Sequence, residues 1–497
     1  MAVRRKTLTQ DTFLTRFGDD LRHSFENLTD AVGDLGTPSV RLGVTGLSRA
    51  GKTVFITALV HNLVHGGRLP LFEAASQGRV TGARLEPQPD DEVPRFDVEA
   101  HVSTLLDERL WPQSTRQISE LRLTIDYESA SFFNRALGRG RLHLDIVDYP
   151  GEWLLDLPLL GKDYRTFAGE AVGRARADGR HAIAADYLRE LQSVDPLAPA
   201  QEADARRLAE LYTRFLAACR ADEHALSMLP PGRFLMPGDL EGSPALTFAP
   251  LDLSAHEGAL PAGSLAAMME RRYESYRKHV VRPFFRDHFA RLDRQIVLVD
   301  ALNALNAGPE ALADLETALA EILAAFRPGR VSRLFSVFVR RIDRILFAAT
   351  KADHLNRADH DRLEAVLRRL VARAIERAEY SGAEVDVLAL AAIRATREAT
   401  LTHDGEAMPA ILGTPLAGER VDGETYDGKT EIALFPGDLP DDPERLFASG
   451  AAPAGAGVRY VRFRPPELQR TAEGMTLSLP HIRLDRALQF LIGDRLA

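Results

Sequence analysis

The chain has 497 residues, more than one ordinary domain, so two or three units are expected rather than a single core. A formal charge of −9, from 62 basic and 71 acidic residues, argues against a dedicated nucleic-acid binder, which would show a basic excess. One cysteine, Cys219, excludes an internal disulfide framework, and no segment approaches the roughly 18 uncharged apolar residues of a membrane span.

The first residues, Met1 to Lys6, lead into a polar helix-like stretch and not the apolar core of a signal peptide, so a cytoplasmic chain is expected. Residues 10–33 carry Phe13, Leu14, Phe17, Leu21, Phe25 and Leu28 at helical spacing, and residues 1–37 are taken as an N-terminal helix. Val40 to Thr45 reads as a buried strand, followed by a helix from Lys52 to His65. Residues 66–118 are rich in turn formers. Strands are expected at 119–127 and 141–147, paired antiparallel across a short connection. From 153 to 292 the strand signal gives way to long charged helical patterns, notably 199–222 and 264–280. Strands return at 295–300, 342–349 and 385–391, alternating with helices at 309–326 and 357–380, which is the signature of a wound α/β sheet. Beyond 400 the composition shifts to Gly, Pro and Asp in short strands and loops, closed by a helix near 483–495. The expected organisation is a nucleotide core in two halves, 38–152 and 293–400, a helical insertion at 153–292, and a C-terminal extension at 401–497.

Only six of the 62 basic residues are lysines: Lys6, Lys52, Lys162, Lys278, Lys351 and Lys429. Lys52 falls in Gly46-Leu47-Ser48-Arg49-Ala50-Gly51-Lys52-Thr53, the phosphate-loop pattern, between an expected strand and an expected helix. There the backbone N–H groups of the loop and the helix N-terminus face phosphates, so Gly46, Ser48, Arg49, Ala50, Gly51, Lys52, Thr53 and Val54 form the candidate cradle. Lys52 is suited to the β- and γ-phosphates, and the Thr53 hydroxyl to Mg²⁺. Asp148, at the end of an apolar strand, is the candidate to hold Mg²⁺ through water, with Asp145 as a mid-strand competitor. The Gly151 N–H can bond the γ-phosphate.

Thr350-Lys351-Ala352-Asp353 ends another core strand and matches the element by which GTPases read guanine. The Asp353 carboxylate can accept from guanine N1–H and N2–H together. Adenine lacks that donor pair, and a buried charge would be left unpaired. The Lys351 stem is expected over the purine face with its amine tied to the phosphate loop. Ala391-Ala392-Ile393 is expected to offer a backbone N–H to guanine O6, with Ala392 nearest the base.

In this order the motifs resemble those of TRAFAC-type GTPases and, more narrowly, the YcjX-like family of bacterial P-loop NTPases. Leu110-Trp111-Pro112, Asp148-Tyr149-Pro150-Gly151-Glu152-Trp153 and the stretch Asp293–Asp300 carry the narrower likeness. The resemblance implies an α/β fold, a Ras-like core with a mixed, mostly parallel sheet, plus the helical insertion and C-terminal parts. It also implies an association with envelope-stress responses but no defined partner or substrate; an unknown protein effector, such as a membrane-associated stress protein, is expected beside the nucleotide.

Thr115 is the candidate first-switch ligand to Mg²⁺, with Ser114 and Thr104 as alternatives. Glu152 stands where Ras-like enzymes place a water-orienting Gln; it is either a modified water-positioning residue or a plain switch residue, and its charge opposes the γ-phosphate. Arg49 stands where guanylate-binding proteins carry an internal arginine finger, and a solvated surface Arg is the other reading. His61 and His65, spaced i, i+4, read as helix-face histidines rather than a metal pair. The basic-aromatic run from Arg271 to Arg286 is interleaved with acids and reads as a solvated helix. The expected activity is Mg²⁺-dependent hydrolysis of GTP to GDP and phosphate; a switch with negligible intrinsic hydrolysis and a P-loop ATPase are the alternatives. Peripheral attachment at the inner face of the membrane and a homodimer stay open.

Overall fold

The computed structural model describes residues 37–47, 49–130, 140–221, 224–325, 342–403, 406–421, 423–447, 459–468 and 478–497. The helix expected at 10–33 lies outside them.

Seven strands form one sheet in the order β2-β3-β4-β1-β5-β6-β7. They are β1 (Ser39–Gly46), β2 (Val80–Glu86), β3 (Ser119–Tyr127), β4 (Gly140–Asp148), β5 (Arg294–Val299), β6 (Arg344–Ala349) and β7 (Glu384–Ala389). β1 pairs in parallel with both β4 and β5, and the parallel run continues through β6 to β7. β3 alone runs against its neighbours, pairing antiparallel with β4 and β2. The central strands read as near-continuous apolar runs because both of their faces are covered; β5 is buried at every position.

Side chains alternate between the faces with the two-residue period of a strand. Ile296 and Leu298 join Leu42, Leu144 and Leu346 on one face, under α1 (Lys52–Val64) and the C-terminal helix that ends the chain. Phe55, Ile56, Leu59 and Leu63 of α1 are each at most 4% exposed, which contributes about 1.5–3 kcal/mol per side chain. Val297 and Val299 face the other way. The segment between β1 and β3 also holds α2 (Val98–Leu106), capped by Asp97 accepting from the Ala100 N–H at 3.0 Å.

From Gly151 to Arg291 the regular elements among the described residues are helices and 3₁₀ or π turns. The main ones are α3 (Tyr164–Arg176), α4 (Ala185–Ser193), α5 (Glu202–Arg220), α6 (Leu265–Tyr276) and α7 (Arg282–His288). Their aromatic core, including Tyr164, Phe167, Tyr212, Phe248 and Tyr273, is continuous with Val147, Tyr149 and Trp153. This helical part therefore roofs the β4 side of the second face. Gly43 admits it: a side chain there would meet Leu292 at 2.4 Å. The rest of that face is covered by α8 (Ala301–Ala307), α9 (Pro309–Ala325), α10 (His360–Leu370) and α11 (Ala372–Tyr380). The Arg271–Arg286 run is paired: Arg272 with Glu202, Arg277 with Glu274 and Arg286 with Asp287.

The last part opens with β8 (Arg397–His403), which begins before the expected boundary at 400, and β9 (Glu406–Gly413). The ribbon β10 (Arg420–Val421) with β11 (Glu424–Thr425) follows, and β12 (Ile432–Leu434) completes a three-stranded sheet with β9 and β8. Its small core of Ile411, Leu434, Val461 and Phe463 is separate from the main one. The final helix, α12 (Leu484–Ile492), returns to the main sheet. There the fully buried Arg294 of β5 donates to Asp494 just beyond α12 and to Asp343, so a charge that could not stay buried alone is paired twice.

Candidate functional site

At the C-terminal end of β1 the chain turns into α1 through a loop that no ordinary turn requires. Gly46 lies so close to β5 that a side chain there would sit 2.6 Å from the Leu298 carbonyl. Gly51 has φ +85 and Arg49 φ +63, both left-handed. The α1 N-terminus has no side-chain cap, whereas Asp97, Asp163 and Ser264 cap α2, α3 and α6. Its first amides are thus left for a ligand, and an anion is the ligand a helix N-terminus favours. Lys52 is buried across this loop, donating to the Gly46 and Leu47 carbonyls at 2.9 and 3.3 Å. Burial lowers its pKa, opposed by Asp148 and Glu152. Ser48 lies outside the described residues.

Gly151 packs directly under this loop. A side chain there would meet the Gly46 carbonyl at 2.3 Å and Lys52 Nζ at 2.8 Å, so only glycine permits the approach. Three residues earlier, Asp148 ends β4 beside β1. Thr115 donates to Asp148 Oδ2 at 2.5 Å and lies 3.2 Å from Thr53 Oγ1. The structure therefore brings together the three oxygen groups expected around Mg²⁺. Of the alternatives, Thr104 is on α2, Ser114 lines the cleft next to Thr115, and Asp145 is engaged by Arg122 at 2.7 Å. Asp148 Oδ1 is buried with no hydrogen-bond partner among the described residues. An orphaned carboxylate oxygen beside two hydroxyls fits a hard, oxygen-seeking dication and its water. Burial pushes the Asp148 carboxyl up to about 6 against the pull of Lys52. Among the described residues no group of three His, Cys, Asp or Glu side chains could hold a metal by itself. The rings of His61 and His65 lie 4.5 Å apart, tilted by 42°.

The other end of the cleft is built on β6 and β7. Lys351, φ +61, turns the chain after β6 and sends Asp353 into the interior. The Ala395 N–H donates to Asp353 Oδ2 at 2.7 Å, and burial pushes this carboxyl up to about 6. Thr350 is anchored through its N–H to the Val299 carbonyl. In the loop after β7, Ala391 donates its amide to Ile482 and Arg394 to Pro480. Ala392 and Ile393 keep amides without a partner among the described residues, and both line the cleft. Of the three, Ala391 is the one whose N–H is already used.

The Lys351 amine does not tie to the phosphate loop, as was expected of it. It donates to Asp300 Oδ2 at 2.5 Å and to the Tyr460 hydroxyl at 2.6 Å. Burial alone would lower its pKa, but Asp300 and Tyr460 hold it above the ordinary lysine value. Glu152 is likewise committed: its carboxylate accepts from Arg220, at the end of α5, at 2.9 Å. Arg49 lies at the cleft mouth, where desolvation and the neighbouring guanidiniums of Arg220 and Arg462 lower its pKa.

Most of the candidate groups line one cavity of about 320 Å³, in the range of small-molecule sites; Gly46, Ala50 and Asp148 are not among its walls. Its walls include Arg49, Gly51, Lys52, Thr53, Val54, Thr115, Gly151 and Glu152 at one end, and Thr350, Lys351, Asp353, Ala391, Ala392 and Ile393 at the other. Sequence reasoning missed His354, Leu416, Tyr460, Arg462 and Phe463 in the walls, and Arg220 behind Glu152. Trp111, of the Leu110-Trp111-Pro112 stretch, is a wall residue as well. The composition held one signal: the chain has two tryptophans, and both sit at this end of the fold. Trp111 lines the cleft and Trp153 follows Glu152.

A phosphate loop after the central strand of a mixed, mostly parallel sheet, with an acidic strand end beside it, defines the α/β fold of Ras-like P-loop proteins. Residues 40–496 match the YcjX-like family, DUF463, and the chain belongs to that family. It is 38% identical over 468 residues to the protein named Ras-like GTPase YcjX of Escherichia coli, covering 92% of this chain and 96% of the relative. The protein of the same name from Shewanella oneidensis is 35% identical over 476 residues, covering 92% and 94%. No helix among the described residues is long and apolar enough to cross a membrane.

Proposed function

We propose that the cleft binds GTP with Mg²⁺ and hydrolyses it to GDP and phosphate, the two states differing in the segments that carry Thr115 and Gly151. One observation carries this reading: a single cavity joins the Lys52–Thr53 loop, the switch groups and Asp353. The curated relatives named as Ras-like GTPases support it.

Lys52, the α1 amides and the Gly151 N–H are placed to bind the phosphates and to stabilise charge on the γ-phosphoryl oxygens as water attacks. Bound Mg²⁺ would add charge neutralisation on the β- and γ-oxygens, held by Thr53, Thr115 and, through water, Asp148. Asp353 orients guanine by accepting from N1–H and N2–H, and the Ala392 or Ile393 amide is free for O6. Binding of nucleotide and metal supplies the partners that Asp148 Oδ1 and the loop amides lack.

Glu152 favours a second reading, a switch whose intrinsic hydrolysis is negligible. Its carboxylate is held by Arg220, so a water-orienting role requires that pair to open. In that reading α5 restrains hydrolysis, and an effector or membrane-associated stress partner acting on the helical part would release it. Arg49 would then act as the internal finger, folding onto the γ-phosphate. Single-turnover phosphate release from bound GTP separates the readings: release with the wild-type chain alone supports hydrolysis, and binding without release supports the switch. Preference for ATP would overturn both.

A further inference from the structure

The C-terminal part contributes residues to a cleft that the core motifs alone would leave open. The segment from Tyr460 to Phe463 is pinned to the stretch that follows β9: the Leu416 N–H donates to the Arg462 carbonyl at 2.8 Å, and the Arg464 N–H to the Thr414 carbonyl at 2.8 Å. From that base it makes two contacts across the cleft. The Tyr460 hydroxyl accepts from Lys351, the lysine of the base-reading loop, at 2.6 Å. The Phe463 carbonyl accepts from the Trp111 indole N–H, also at 2.6 Å. Trp111 is four residues before Thr115. His354 fills the space between the two aromatic rings, 5.3 Å from each. Tyr460, Arg462, Phe463 and Trp111 all line the cavity.

We propose that Tyr460–Phe463 is a strap that ties the base-reading loop to the switch segment across the cleft, so that nucleotide enters and leaves only when the strap lifts. Tyr460 is a positioning residue for Lys351, and the Trp111–Phe463 bond is the latch. The inference rests on the reading of the cleft as a nucleotide site. It follows from placement: one short segment, anchored outside the core, bonds both walls of the same cavity. A latch of this kind raises the barrier to passage in both directions, because it must break for entry as for exit and reform afterwards. A side chain that merely touches nucleotide would slow exit alone.

The test uses the full-length protein and a fluorescent N-methylanthraniloyl-GDP, with association and dissociation rates measured by stopped flow for wild type, Trp111→Phe, Tyr460→Phe and the double variant. Trp111→Phe keeps a ring and removes the indole donor. Tyr460→Phe keeps the ring stacked on His354 and removes the hydroxyl. One hydrogen bond is worth enough to set rates by about five- to tenfold. Trp111→Phe is expected to raise both rates, association as well as dissociation, by about that factor. Because both bonds hold one strap, the double variant is expected to exchange no faster than the faster single variant by more than about twofold, a non-additivity that separate structural contacts would not produce. Unchanged rates in both single variants, or faster dissociation with unaltered association in Trp111→Phe, would overturn the strap and leave the nucleotide site standing. Wild type that binds N-methylanthraniloyl-ADP in preference to the GDP probe overturns the guanine reading, and the same two rates measured with that ADP probe then support or overturn the strap. Wild type that binds neither overturns both.

Discussion

The two ends of the cleft are built in different ways. At the phosphate end, the Gly46–Thr53 loop, Asp148 and Gly151 lie within about one strand of each other, and glycine packing presses them together. At the base end, Asp353 and Lys351 occupy one tight turn, but their side chains are held by Ala395, Asp300 and Tyr460 from three other parts of the chain. The phosphate end is therefore set by backbone packing at two neighbouring strand ends. The base end is set by side-chain contacts, and its geometry depends on the C-terminal part being in place.

The largest expected effect falls on the phosphate end. Lys52→Ala removes the buried ammonium expected on the β- and γ-phosphates, and charged hydrogen bonds of about 1.5–3 kcal/mol each predict a loss of GTP affinity of ~100-fold or more. Isothermal titration checks this, and an affinity within threefold of wild type would remove Lys52 from the site. Asp353→Asn comes next. It replaces an acceptor pair by an acceptor and a donor, which should weaken GTP by ~10–100-fold while ATP affinity changes little. Competition assays that show GTP and ATP weakened alike would mean that Asp353 does not read the base.

A pH series probes both ends together. Burial pushes Asp148 and Asp353 up to about 6, so the nucleotide-free protein holds a proton on each below that pH. Nucleotide and Mg²⁺ require the ionised forms. Affinity for Mg·GTP should be flat above about pH 6 and fall as pH drops through it, by up to ~tenfold per unit for each carboxyl. Asp353→Asn should make that decline shallower, because one of the two protons is gone. A flat profile down to pH 5 would show that neither carboxyl has to ionise on binding. The smallest effect is expected at the pair between core and helical part. Arg220→Ala frees Glu152 and should raise single-turnover hydrolysis by ~3–10-fold with GTP affinity within about twofold. A fall in rate would assign Arg220 to catalysis instead of restraint.

The same contrast explains what could be read in the sequence. The phosphate loop, Asp148, Gly151 and the Thr350–Asp353 turn are contiguous motifs at strand ends, and the apolar runs of β1, β4, β5 and β6 locate those ends. β2 escaped notice because it is a half-exposed edge strand, Val-Thr-Gly-Ala-Arg-Leu-Glu, without clean alternation and with a register shift at Gly82. Tyr460 and Phe463 were illegible for another reason. They lie about a hundred residues beyond Asp353 in Gly- and Pro-rich sequence, and only pairing with the Thr414–Leu416 stretch brings them to the cleft. Arg220 sits in an arginine-rich helix whose pattern shows which side is buried but not that its last residue meets Glu152. The expectation that Lys351 reaches the phosphate loop failed because Asp300, capping α8 at the end of β5, lies nearer and carries the opposite charge. Of the four lysines outside the motifs, Lys162 is accounted for, bridging Glu170 of α3 and Glu321 of α9 at 2.6 and 2.7 Å.

Equilibrium competition of GTP and ATP for the nucleotide-free protein in Mg²⁺ tests the central reading most directly. A site built on Asp353 predicts that GTP displaces a bound fluorescent nucleotide at a concentration ~100-fold or more below ATP. Equal potency, or displacement by ATP first, would contradict it.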